Sequence, residues 1–173
     1  MKNSISIYIE EHGKHLQNVK AHFETISLSE AIEQASKAID PTNDNKMFHH
    51  QRRIGKVKAA EGYELLKYKD VDFKACSSFD EIMIITDGVI SNVPKLGNLW
   101  SYDSALRIGF HLRIYPKDVY IQAGVVKGYV KLFNKKPRAR KIVKSEFPML
   151  AELEAYEIEN FLCVWGGEKK SIC

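Results

Sequence analysis

The sequence predicts an all-α, mostly single-domain protein of several helices, two of them joined by a short hairpin near the centre of the chain. Three observations carry that expectation. Apolar residues recur at helical and not strand spacing in nearly every segment. Serines stand just ahead of apolar-periodic runs at Ser29 and Ser78, where helix N-caps are needed. The pair Gly166-Gly167 follows the last such run, as a helix stop does.

Taken in order, Ile5, Ile9, Leu16, Val19 and Phe23 mark a first helix, with a bend at Gly13. Ser29 is expected to cap a second helix reaching about Ile39. The turn-rich run 40–45 then reads as a linker between an N-terminal helical extension, residues 1–46, and a main domain, residues 47–173. That domain opens with a basic helix over 47–68. Ser78 caps the next one, in which Phe79, Ile82, Ile85 and Val89 form a single apolar stripe. After the hairpin, Leu99, Tyr102, Leu106 and Phe110 mark a buried face. Pro116 punctuates the chain, and 119–133 reads as helix, its Gly124 and Gly128 spaced to let it pack tightly against the hairpin unit. Ile158, Phe161, Leu162 and Trp165 line the last helix.

Composition excludes several classes of function. With 173 residues, 45% of them hydrophobic, the chain can build one sizeable core. It has no apolar run of about 18 residues, so no membrane span is expected. Its polar start lacks the apolar block of a secretory signal, so a cytoplasmic location is expected. Cys76, Cys163 and Cys173 are far apart and odd in number, which predicts free thiols and neither a disulfide framework nor a zinc site. None of His12, His15, His22, His49, His50 and His111 joins a ligand partner at metal spacing, so neither metal nor cofactor is expected.

The formal charge of +4 is unevenly placed. Residues 119–145 hold eight cations (Lys127, Lys131, Lys135, Lys136, Arg138, Arg140, Lys141 and Lys144) and no acid. Glu146, Glu152, Glu154, Glu157 and Glu159 follow without a cation among them. Such segregation steers a polyanion toward one face, unless the basic run is simply a solvated loop around Pro137.

The strongest motif is 93–101, Val-Pro-Lys-Leu-Gly-Asn-Leu-Trp-Ser, which leads into a helix and then to Pro116-Lys117-Asp118. Apolar residues around a glycine, with a small residue four positions on, form a hairpin that presents backbone N–H groups to a phosphate. The segment resembles the helix-hairpin-helix DNA glycosylase superfamily, and more narrowly short bacterial proteins that look like its C-terminal core, over roughly 47–165. Gly97 matches the second hairpin glycine, Ser101 the small residue, and Asp118, 21 residues after Gly97, the catalytic aspartate. Lys95 stands at the first hairpin glycine, where the backbone requires a positive φ. Leu99 stands where bifunctional members carry the lysine that attacks the sugar.

That resemblance implies a DNA-glycosylase-like fold and monofunctional base excision for DNA repair. Asp118 would stabilise positive charge on the sugar, and a flipped base would stack on Trp100 or Tyr120. The competing reading of Asp118 is an N-cap ahead of Val119. Lys95, Gly97 and Asn98 are the expected contacts to the phosphate backbone of duplex DNA, with Arg52, Arg53 and Lys127 as further cations. A helix–helix turn with solvated basic side chains would explain the same residues. Asp103, in the first turn of its helix, reads as structural. A reading from a different class is a catalytically inactive helical adaptor that binds a protein partner through the 152–165 helix and the N-terminal helix pair.

Overall fold

The computed structural model describes residues 2–167, and the chain there is mostly helical. In chain order, α1 (Lys2–Tyr8), a π-helical turn (Ile9–Gly13) and α2 (Lys14–Thr25) run on from one another, followed by α3 (Leu28–Ser36). Two short strands, β1 (Ile39–Asp40) and β2 (Lys46–Met47), precede a 3-10 turn at His49–Gln51 and the helices α4 (Lys56–Leu66), α5 (Asp70–Ala75), α6 (Phe79–Ile90) and α7 (Asn98–Leu112). The remainder comprises β3 (Asp118–Tyr120), α8 (Ala123–Phe133), β4 (Lys141–Val143) and α9 (Ala155–Gly166).

The chain forms two compact units. One is continuous, Leu16–Tyr115; the other is assembled from Met1–His15 and Pro116–Cys173. The boundary expected after residue 46 is therefore not observed. The turn-rich run that suggested it closes a hairpin inside the continuous unit, where Ile39 pairs with Met47 and Asp40 with Lys46. Asp40 organises that turn by accepting hydrogen bonds from the Thr42 backbone N–H at 3.0 Å and hydroxyl at 2.7 Å.

The continuous unit is built around α7. Every residue from Trp100 to Phe110 is buried, which makes α7 a core helix against which α3 and α6 pack. Helix α6 begins where the sequence indicated: the Ser78 hydroxyl accepts from the Glu81 N–H while the Glu81 carboxylate takes the Ser78 N–H. Such a reciprocal cap contributes about 0.5–2 kcal/mol. Helix α3 is capped in the same way by Ser27 and Glu30 rather than by Ser29, and its C-terminal end lies at Ser36. The basic helix expected over 47–68 begins only at Lys56, because Met47 belongs to a strand and residues 49–51 to the 3-10 turn. Trp100 ties α7 to α3 by donating its indole N–H to the Ser36 carbonyl at 2.8 Å. Gly62 on α4 makes room for that indole, since a Cβ there would lie 2.5 Å from Trp100 Cζ2.

In the discontinuous unit, β3 and β4 pair antiparallel, with Asp118 opposite Val143 and Tyr120 opposite Lys141. The helix expected from Val119 accordingly starts only at Ala123, and Asp118 opens a strand instead of capping a helix. Val119, Val125, Tyr129, Phe147, Ile158, Phe161 and Leu162 form the core, and Tyr8 of α1 joins it, donating its hydroxyl to Asn160 Oδ1 at 2.8 Å. Glycines set the α8–α9 approach. A Cβ on Gly128 would meet the Leu162 carbonyl oxygen at 2.1 Å, and one on Gly166 would meet Gly128 N at 2.2 Å. The close partner of the α8 glycines is thus α9 and not the hairpin. Cys76 is a free thiol. Cys173 lies outside the described residues.

Candidate nucleic-acid interface

The segment between α6 and α7 is a tight turn. Asn92 N–H donates to the Val89 carbonyl at 2.9 Å, and a second turn over 93–96 closes with Leu96 N–H to the Val93 carbonyl at 3.2 Å. Pro94 presets the backbone at the first central position of that turn, and Lys95 occupies the second with φ of 79°. A lysine therefore holds the left-handed conformation that favours glycine. Val93 and Leu96 are buried, so the turn is fastened to the core, while Lys95, Gly97 and Asn98 are exposed.

Gly97 is the N-cap of α7, in extended conformation and without a side chain to cap the helix. The first N–H groups of a 15-residue helix thus begin three residues after the exposed Lys95, and the helix dipole adds partial positive charge at that end. Ser101, the small residue one turn into α7, is buried. It donates to Asp87 Oδ1 at 2.5 Å and lies 2.9 Å from the Thr86 hydroxyl, locking α6 to α7 beneath the turn.

The other expected site residues are distributed as follows. Arg52 and Arg53 are exposed on the turn after His49–Gln51, in the same unit as the hairpin. Lys127 is exposed on α8 and Asp118 is half-buried at the start of β3, both in the other unit. Asp118 Oδ2 lies 3.7 Å from Lys141 Nζ. Neither aromatic is available for stacking: Trp100 is 0% exposed and Tyr120 5%, because each fills the core of its own unit. Helix α9, offered as an adaptor surface, buries Ala155, Tyr156, Ile158, Glu159, Asn160, Phe161 and Leu162 and so forms core.

A buried polar cluster around Asp103 was only partly readable. His50 Nε2 lies 2.6 Å from Asp103 Oδ2, the Gln51 amide donates to the same oxygen, and Arg107 Nη2 lies 3.6 Å from it. The Arg107 guanidinium also stacks on Phe48 at 3.8 Å. Burial alone would raise the Asp103 carboxyl, but the His50 and Arg107 charges, with the His50 and Gln51 hydrogen bonds, outweigh it and hold the group below the usual aspartate range. Burial draws Arg107 down, opposed by Asp103 and Asp40. The cluster clamps the His49–Gln51 turn to α7. Spacing alone shows the Asp103–Arg107 pair, one helical turn apart. Nothing local announces His50, 53 residues away.

Among the described residues, no group of three or more His, Cys, Asp or Glu is arranged to hold a metal ion. Among the described residues, no helix is long and apolar enough to cross a membrane. No known protein family, characterised protein or solved structure matches the chain.

Proposed function

We propose that this protein binds the phosphate backbone of duplex DNA through the α6–turn–α7 hairpin, which serves as a helix-hairpin-helix element. The observation that carries the reading is Lys95 at φ of 79°. A non-glycine residue in the left-handed region costs on the order of 1 kcal/mol, and a glycine would remove that cost. A lysine there keeps the turn while adding an exposed cation two residues before Gly97, the N-cap of α7, which supplies no side-chain cap. Exposed Gly97 and Asn98 leave the approach open, and Arg52 and Arg53 supply further charge on the same unit. Contacts of this type position a protein on DNA without reading bases, so binding is weakly sequence-specific and strongly salt-dependent.

The reading is of binding without base excision. Trp100 and Tyr120 are core residues with no face free to stack on a flipped base, and Asp118 lies beside Lys141, so the proposal takes the hairpin and not the chemistry of the resemblance. The test is a fluorescence-anisotropy titration of a labelled duplex with wild type and Lys95→Glu. The variant is expected to bind more weakly, with a log Kd against log salt slope shallower by about 1. Full affinity in Lys95→Glu would overturn hairpin docking.

A further inference from the structure

We infer that the discontinuous unit carries a second polyanion-binding surface, the basic loop between α8 and β4, and that its partner is nucleic acid. The loop is held at both ends. Asn134 ends α8 in a left-handed conformation, donating its N–H to the Val130 carbonyl at 2.8 Å, and the Arg140 carbonyl accepts from Ile121 N–H at 2.7 Å. Between these points Lys135, Lys136 and Arg138 are all exposed, and Pro137 stiffens the backbone. No carboxylate pairs with Lys135, Lys136 or Arg138 among the described residues. Two acids of the same unit are engaged beyond it, Asp118 with Lys141 and Glu154 with Lys144.

Three exposed cations on a short, end-fixed segment match a polymer with regularly spaced phosphates. A bilayer is the poorer fit. Residues 134–140 include no large apolar side chain, Leu132 and Phe133 pack against the core, Ile142 is buried, and the exposed Val143 stands alone at the far end of β4, so the loop has no apolar wedge of its own to insert. This surface shares only the partner class with the hairpin reading, because it lies in the other unit and uses none of the hairpin residues.

The test is the full chain carrying Lys135→Gln, Lys136→Gln and Arg138→Gln together, titrated with a labelled duplex between about 50 and 200 mM salt. Circular dichroism and melting should match wild type, since all three side chains are exposed. The expected result is weaker binding with a salt slope shallower by up to about 3. An unchanged slope and affinity, with Lys95→Glu still weakened, overturns this surface and leaves the hairpin standing. Loss of binding in the triple variant with Lys95→Glu unaffected supports the surface and removes the hairpin reading. Binding to vesicles containing phosphatidylglycerol that the triple variant abolishes, with no duplex bound by wild type, overturns the nucleic-acid assignment.

Discussion

Replacing Gly128 by alanine tests the close approach of α8 and α9. The new methyl carbon would lie 2.1 Å from the Leu162 carbonyl oxygen, 2.7 Å from its carbonyl carbon and 2.8 Å from its Cα. Carbon atoms rest at about 3.5–4.0 Å, so the helices must separate by roughly 1 Å, and the atoms in the way are backbone that no rotamer change can move. Overpacking of this kind costs about 1–3 kcal/mol, while alanine regains about 1 kcal/mol of helix propensity. The net expectation is a loss of up to about 2 kcal/mol. Gly88 in α6 is the matched control, because a Cβ there meets nothing within 4 Å. Gly88→Ala should therefore gain up to about 1 kcal/mol. Urea unfolding can be followed by tryptophan fluorescence, with Trp165 in the discontinuous unit and Trp100 in the continuous one. A Trp165→Phe background leaves Trp100 alone, and Gly128→Ala should shift its transition less than the transition followed by Trp165. A Gly128→Ala protein stabilised as much as Gly88→Ala would refute the packing argument.

Two further outcomes follow from backbone strain and buried charge. Lys95→Gly should stabilise the continuous unit by up to about 1 kcal/mol in urea melts, the relieved left-handed cost exceeding the added unfolded-state entropy, yet weaken DNA binding; a loss of stability would contradict the strain assignment. Asp103 has a folded-state pKa below its unfolded value, so the stability it contributes is fully present above about pH 4 and is lost as pH falls through the folded value. Thermal melts taken from about pH 6 down to 3 should show that decline, and Tm unchanged across the range would refute it.

How much of this was legible depends on how local the determinants are. Ser78, Glu81 and the stripe Phe79, Ile82, Val89 lie within one helix, so α6 could be read directly. The same cap signature, a serine three residues before a glutamate, sits at Ser27 and Glu30 and marks the start of α3, whereas Ser29 has Ile32 at that spacing. The strands could not be read. Asp118–Tyr120 spans three residues and buries two neighbours in a row, so it shows no alternation, and its pairing with Lys141–Val143 skips an entire helix. The turn at 93–96 was visible as punctuation, but the positive φ at Lys95 was accessible only through the resemblance, because lysine itself gives no such signal.

The discontinuous unit has a consequence for the order in which the protein can acquire its structure. Tyr8 is synthesised 152 residues before Asn160, the acceptor of its hydroxyl, whereas the whole continuous unit lies between them in the chain. At translation rates of about 5–20 residues per second, that interval lasts roughly 8–30 s, far longer than a small helical domain takes to fold. The continuous unit can therefore fold while α1 is still without its partner helix, and the nascent chain carries Tyr8 exposed until α9 leaves the ribosome.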